Sequence, residues 1–257
     1  MKQKLSIIKV GGKIVEENTS LKALLQTFAA LPGKKILVHG GGRSATKMAS
    51  SMGLESKMVN GRRITDEAML RIVTMVYGGL VNKTIVAGLQ ALGTNALGLT
   101  GADINAIRSV KRPVEEVDYG FVGDVVQVNG TGLRDLLDLD IVPVMAPLTH
   151  DAKGTILNTN ADTIAGETAK ELANYYEVTL VYCFEKNGVL LDENEEDSVI
   201  KVLRPDLYAE LKEKKVICGG MIPKLDNAFA AVQAGVKEVL ITKASNLGST
   251  NGTRITL

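Results

Sequence analysis

The 257-residue chain is 45% apolar and 23% charged, and its thirty basic residues nearly balance 29 acidic ones, for a formal net charge of +1. That is the make-up of an ordinary globular protein, and it supplies no electrostatic reason to expect nucleic acid or an anionic membrane as a partner. Aromatic residues amount to 4%, with no Trp, which also argues against a base-stacking platform.

Strand-like and helix-like runs alternate from the start. Leu5–Val10 reads as a strand ending in Gly11-Gly12, and residues 19–31 have helical spacing through Leu21, Leu24, Leu25 and Phe28 before Pro32-Gly33. Lys35–His39 reads as a second strand, ending in Gly40-Gly41-Gly42, with a helix over 43–52. A β-α-β-α opening is the mark of a parallel sheet with helical crossovers. Residues 58–65 read as a hairpin or lid. Residues 66–92 read as a helix bent at Gly78-Gly79, and Met69, Leu70, Ile72, Val73 and Val76 make it apolar on more than one face, as in a homodimer contact. Strands are expected at 95–99, 141–146, 155–157, 178–183, 239–241 and 254–257, hairpins over 107–128, and helices at 132–138, from Asp162 to about 173, at 205–212 and at 223–234. No linker-like composition divides the chain.

Cys183 and Cys218 form no C-x-x-C unit, and His39 and His150 lack metal-ligand spacing. No stretch approaches about 20 apolar residues, and the start holds too short an apolar run for a signal peptide. The expectation is a reduced, cytoplasmic protein without a protein-held metal.

Ligands of open parallel sheets bind at the carboxyl ends of the strands. Lys9 sits there in an apolar run. On a central strand it needs an anion, whereas on an edge strand it would face water. Gly11, Gly12 and Gly40-Gly41-Gly42 allow close backbone approach to an anion, although a tight strand-to-helix turn would also use glycine. Gly40, Gly42 and Ala45 echo the dinucleotide pattern G-x-G-x-x-A, with Asp66 at about the right distance but beginning a helix. Lys224 falls in the first turn of a helix, where the dipole disfavours a cation unless a phosphate lies near. Asp162 is explained by helix capping, with Asn160 or Thr159 as the cap. Asn158, at a strand end, is not so explained. Arg63 has the geometry to clamp a carboxylate, or else is a solvated loop residue. His39 reads as a satisfied strand-end histidine. Neither a Walker A sequence nor the protein-kinase catalytic-loop set occurs.

Taken in order, Ile8-Lys9-Val10-Gly11-Gly12, His39-Gly40-Gly41-Gly42, Asn60-Gly61-Arg62-Arg63-Ile64-Thr65, Asn158-Thr159-Asn160-Ala161-Asp162, Gly220-Met221-Ile222-Pro223-Lys224 and Gly252-Thr253-Arg254-Ile255 closely resemble the motifs of the amino-acid kinase family over the whole chain. The N-G-x-R and G-M-[IV]-x-K elements resemble those of its members that act on N-acylated glutamate. The resemblance implies a single domain, 1–257, folded as a three-layer α/β/α sandwich around a mainly parallel sheet. An N-terminal lobe, about 1–174, would hold the acylated amino acid and a C-terminal lobe, about 175–257, the nucleotide. It implies transfer of the γ-phosphoryl group of ATP, with Mg²⁺ held through the ATP, to the side-chain carboxylate of N-acetylglutamate or N-succinylglutamate, as in arginine biosynthesis. Carbamate and aspartate are related acceptors, and an oxidoreductase or a non-catalytic sensor are the readings outside that class.

The same resemblance assigns Lys9 and Lys224 to the moving phosphoryl group and Asp162 to their orientation. Gly11, Gly12 and Gly41 go with phosphate oxygens, and Gly41, Gly42, Arg63 and Asn158 with the acceptor. Glu185, Lys186, Asn187, Gly188, Val189, Val216, Ile217 and Cys218 are assigned to the nucleotide. The family usually has a hydroxyl residue and Asp where this chain has Phe184 and Glu185. Lys9 lies so near the start that there is no room for the additional N-terminal helix of arginine-inhibited hexamers, which implies an arginine-insensitive homodimer. A carboxylate nucleophile is already ionised at neutral pH and needs no general base, so no catalytic histidine is expected.

Overall fold

The computed structural model describes residues 2–59, 61–192, 194–219 and 221–257; Asn60 and Gly220 of the motifs quoted above lie outside the described residues. The chain opens with β1 (Lys4–Val10), α1 (Gly12–Glu16), α2 (Asn18–Ala30), β2 (Lys34–His39) and α3 (Gly42–Ser51). A short antiparallel hairpin, β3 (Met58–Val59) and β4 (Arg62–Arg63), leads to α4 (Glu67–Val73). A π-helical segment, Thr74–Val81, joins α4 to α5 (Asn82–Gln90). Then follow β5 (Ala96–Leu99), β6 (Ile107–Lys111), β7 (Gly123–Val128), α6 (Gly130–Asp138), β8 (Val142–Met145), β9 (Leu148–His150) and β10 (Ile156–Asn158). The remainder is α7 (Ala161–Leu172), β11 (Glu177–Phe184), β12 (Val202–Leu203), α8 (Pro205–Glu213), α9 (Met221–Gln233), β13 (Glu238–Lys243) and β14 (Thr253–Ile255).

Eight strands form the main sheet in the order β12-β14-β13-β11-β1-β2-β8-β5. Every pairing in it is parallel except β13 with β14. Strand β1 is central, and its side chains alternate between two cores. Leu5 and Ile7 face the core under α6 to α9, whereas Ile8 and Val10 face the core under α1 to α5. Helices on both faces make the three-layer sandwich, and burial on both faces explains why the central strands read as continuous apolar runs. A second sheet, β10-β9-β6-β7, lies beside it. Isolated bridges Thr65–Gly120 and Val122–Asn158 tie this second sheet's neighbourhood to the residues after the β3–β4 hairpin. Gly120 is required there: its φ is +71°, and a Cβ would stand 2.2 Å from the Thr65 carbonyl oxygen.

Three expectations need correction. Helix 67–90 is continuous through Gly78-Gly79. The chain absorbs the two glycines by widening to π-type hydrogen bonding in place of a bend. Of the residues read as a contact between copies, Met69, Ile72, Val73 and Val76 are core residues of the chain itself and Leu70 packs partly buried against that core; the exposed apolar side chains of this stretch are Met75 and Leu80. Helix α9 begins at Met221, two residues before Pro223. The proline is tolerated because N–H groups of the first turn have no helical acceptor to lose. The short elements α1, β9 and β12 were not anticipated, since two to five residues carry no readable period.

Candidate active site

Lys9, on the central strand β1, directs its Nζ to Asp162 Oδ1 at 2.8 Å. Lys224, in the first turn of α9, places its Nζ 3.0 Å from both oxygens of the same carboxylate. Asn160 holds Asp162 in position from below: it caps α7, accepting from the N–H groups of Asp162 at 2.7 Å and Thr163 at 3.2 Å. The side chains of Lys9 and Lys224 are only 11% exposed and that of Asp162 17%, so two cations share one carboxylate largely out of water. Burial by itself would raise the Asp162 carboxyl, but Lys9 and Lys224 outweigh it and hold the group well below the usual carboxylate range. Burial lowers the Lys224 ammonium, Lys9 adds to that, and Asp162 opposes both. The cluster keeps one surplus positive charge, and the unmet requirement is for an anion. The Tyr182 ring lies 5.2 Å beneath the Lys224 ammonium, and its hydroxyl donates to the Asp162 carbonyl oxygen at 3.3 Å.

Beside this cluster the turns after β1 and β2 converge. A Cβ on Gly12 would lie 3.7 Å from the nitrogens of Gly41 and Gly42. Among the described residues no side chain caps α1 or α3, so their first N–H groups are left for a ligand. Gly11 differs: its N–H is engaged by the Cys183 carbonyl oxygen at 3.1 Å, so the unengaged amides belong to Gly12 and the Gly41-Gly42 turn. Gly41 is required by packing, since a Cβ there would stand 2.8 Å from Tyr77 Cδ1.

A cavity of about 210 Å³ opens from this cradle. Its lining includes Lys9, Gly12, Gly41, Gly42, Asn158 and Asp162 on one side and Arg62, Arg63 and Tyr77 on the other. Arg63 is buried, so the solvated-loop reading does not apply. Its Nη2 donates to the Gly42 carbonyl oxygen at 2.8 Å and Thr46 Oγ1 at 2.9 Å, and its Nη1 to Ser56 Oγ at 2.7 Å. Among the described residues no carboxylate stands within salt-bridge distance of Arg62 or Arg63. Asn158 is oriented by its Nδ2 donating to Thr65 Oγ1 at 2.9 Å. Thr65 and Tyr77 were not singled out from sequence. Tyr77 reaches the cavity because the π-helical turn carries it there, and the one aromatic in an otherwise aliphatic and glycine stretch was the available signal.

The residues expected at the nucleotide stand apart from this cavity. Glu185 is half-exposed at the end of β11. Asn187 Nδ2 donates to the Glu196 carbonyl oxygen at 3.4 Å, and Lys186 lies between them in the same turn region. Gly188 packs against Thr253, whose Oγ1 accepts from the Val189 N–H at 2.8 Å. Val189 and Ile217 bury their side chains in the core, Val216 packs on it, and Cys218 is exposed just before α9. His39 is fully buried, as a satisfied histidine should be. Its Nδ1 meets the Gly40 carbonyl oxygen at 2.7 Å and its Nε2 the Asn82 amide at 3.1 Å. Burial lowers its pKa to about 4, against the raising effect of the Gly40 carbonyl and with a small push from Lys83. Asp66 caps α4, accepting from the Met69 N–H at 2.8 Å, and so does not complete a dinucleotide fingerprint.

The sequence profile of the amino acid kinase family matches residues 4–243. The chain belongs to the amino acid kinase family. Within that family it is 66% identical over 255 residues to acetylglutamate kinase of Phocaeicola vulgatus, covering 99% of each chain. It is likewise 66% identical over 255 residues to acetylglutamate kinase of Bacteroides thetaiotaomicron, again 99% of each. Among solved structures, smu.665 from Streptococcus mutans UA159 superposes with a TM-score of 0.79 at 28% identity, covering 98% of both chains. The family's shared architecture agrees with the three-layer sandwich around a mainly parallel sheet described above.

Proposed function

We propose that the protein transfers the γ-phosphoryl group of ATP to the side-chain carboxylate of N-acetylglutamate, the acyl-phosphate-forming step of arginine biosynthesis. The observation that carries this reading is the surplus positive charge of Lys9 and Lys224 around Asp162, facing a cavity whose far wall holds Arg63 without a carboxylate partner. The high identity to acetylglutamate kinases over the full chain supports it.

In this mechanism Arg63 and Asn158 hold the acceptor's α-carboxylate side, and the reacting carboxylate lies near Gly41 and Gly42. That carboxylate is ionised at neutral pH, so one of its oxygens attacks the γ-phosphorus directly while the bond from phosphorus to the bridging oxygen breaks and ADP leaves. Lys9 and Lys224, both paired with Asp162, meet the charge that shifts onto the transferred and bridging oxygens. The N–H groups of Gly12 and Gly41 supply further donors. Both oxygens of Asp162 are engaged by lysines, so Mg²⁺ fits as an ion carried on the nucleotide's phosphates, where it would neutralise β- and γ-oxygen charge. Residues 1–174 serve the acceptor and 175–257 the nucleotide, with Glu185–Val189 and Val216–Cys218 lining the nucleotide. We place the protein in the cytoplasm as a homodimer. The exposed Met75 and Leu80 support an apolar contact between copies.

One observation favours a second acceptor. Arg62 lines the acceptor cavity and also an adjoining one shared with Arg112, Tyr119 and the acidic residues Glu115, Glu116 and Asp124. A cation at that end suits an acyl group bearing its own carboxylate, as in N-succinylglutamate. The test is trapping of the acyl phosphate with hydroxylamine after incubation with MgATP and, separately, N-acetyl-, N-succinyl- and free glutamate, aspartate and carbamate. A hydroxamate from one N-acylglutamate names the reaction and the acyl group together, and none from any of them rules the reading out.

A further inference from the structure

The strands β11, β1 and β2 are neighbours, and at their carboxyl ends they present three charged side chains in a row. Glu185 follows β11, Lys13 is the second residue of α1, and Arg43 is the second residue of α3. Lys13 Nζ lies 3.2 Å from Glu185 Oε2, and Arg43 Nη2 lies 3.8 Å from Glu185 Oε1. One carboxylate thus spans two cations, each immediately following the glycine whose backbone forms the cradle, Gly12 and Gly42. One turn further along, the same two helices pair directly through Glu16 and Lys47 at 3.1 Å. The first rung has like charges, and only the carboxylate of Glu185, from another strand, separates them.

Packing does not require this arrangement. All three side chains are about half exposed, and Arg43, in the first turn of the ten-residue α3, opposes that helix's dipole. The group that rewards both cations is a polyanion seated on the glycine cradle between them. We propose that Lys13 and Arg43 are phosphate-positioning residues and that Glu185 is their built-in stand-in, displaced when a polyphosphate chain enters. This rests on the reading of the protein as an ATP-dependent kinase. Glu185 has somewhere to go: it lines a cavity of about 420 Å³ whose near side is Lys13 and whose wall also holds Phe184 and Lys243, and among the described residues the ammonium of Lys243 has a loose ion-pair partner in Glu196 at 3.9 Å. Displacement would then trade one cation contact for another and leave Lys13 and Arg43 to the phosphates.

The test is a calorimetric titration of the full chain with magnesium tripolyphosphate and with MgATP, for wild type, a Lys13→Met/Arg43→Met double variant and Glu185→Gln. The two kinds of variant move the constant in opposite directions. Tripolyphosphate Kd weakens about tenfold in the double variant, while Glu185→Gln, which frees both cations, tightens it about threefold to fivefold. A merely structural ion-pair network would weaken binding in both. Weakening in Glu185→Gln, or a double variant within twofold of wild type, overturns the proposal. Hydroxamate formation by the wild type separates the two levels. Turnover with unshifted Kd values removes only the latch, and opposed Kd shifts without turnover keep the polyphosphate site and remove the kinase reading.

Discussion

Lys224 Nζ stands 3.0 Å from each oxygen of Asp162, so a helix that begins at Met221 is tied to one that begins at Ala161 by a single ion pair. Lys9 completes the cluster from a third element. Because the cluster is nearly dry and carries one surplus positive charge, removing Asp162 leaves two buried lysines uncompensated, whereas removing either lysine leaves a balanced pair.

Replacing Lys224 or Lys9 with Met, or Asp162 with Asn, is expected to lower kcat by roughly 100- to 1,000-fold, the scale for losing one pre-oriented charge at a transferring group. KM for the acceptor should change little. Steady-state hydroxamate assays with a parallel thermal melt make the measurement, and a Lys224→Met enzyme with near-normal kcat would remove the lysine pair from the chemistry.

Arg63→Ala should act on binding. Its guanidinium forms the cavity wall and is held by Gly42, Thr46 and Ser56, so its loss is expected to raise acceptor KM by roughly tenfold or more with kcat changed far less. Equal losses in kcat and kcat/KM would instead assign Arg63 to the transition state.

Gly41 and Tyr77 should be coupled. Gly41→Ala places a methyl group 2.8 Å from Tyr77 Cδ1, and overpacking of this kind costs about 1–3 kcal/mol. Tyr77→Leu removes the obstructing ring. A double-mutant cycle by urea unfolding is expected to show a coupling of about 1 kcal/mol or more, whereas additive effects would mean that the backbone moves aside.

His39 should make the fold acid-sensitive above the usual carboxylate range. Its folded pKa, about 4, is below the ordinary 6.5, so between those values the unfolded chain takes up a proton that the folded chain refuses. Its contribution is complete above pH 6.5 and declines as pH falls towards 4, by about 2 kcal/mol at pH 5. Urea midpoints at pH 7.5 and 5.0 are expected to differ less for His39→Gln than for wild type. An unchanged difference would place the titration elsewhere.

The sequence by itself determined the order of the longer elements, because burial on both faces makes a strand apolar throughout and helices such as α2 repeat Leu21, Leu24, Leu25 and Phe28 at helical spacing. It determined the glycine turns and the residue types at the strand ends for the same local reason. It left Lys9 poised between a central and an edge strand, left Lys224 explicable as a solvated side chain, and did not single out Tyr77. Those matters were decided by tertiary structure. Strand order puts β1 between β11 and β2, packing brings α9 against α7, and a π-helical turn swings Tyr77 over Gly41. Local periodicity reports which face of an element is buried. Which distant element covers that face, and which charges then meet out of water, depends on contacts between residues far apart in the chain, and no local pattern encodes them.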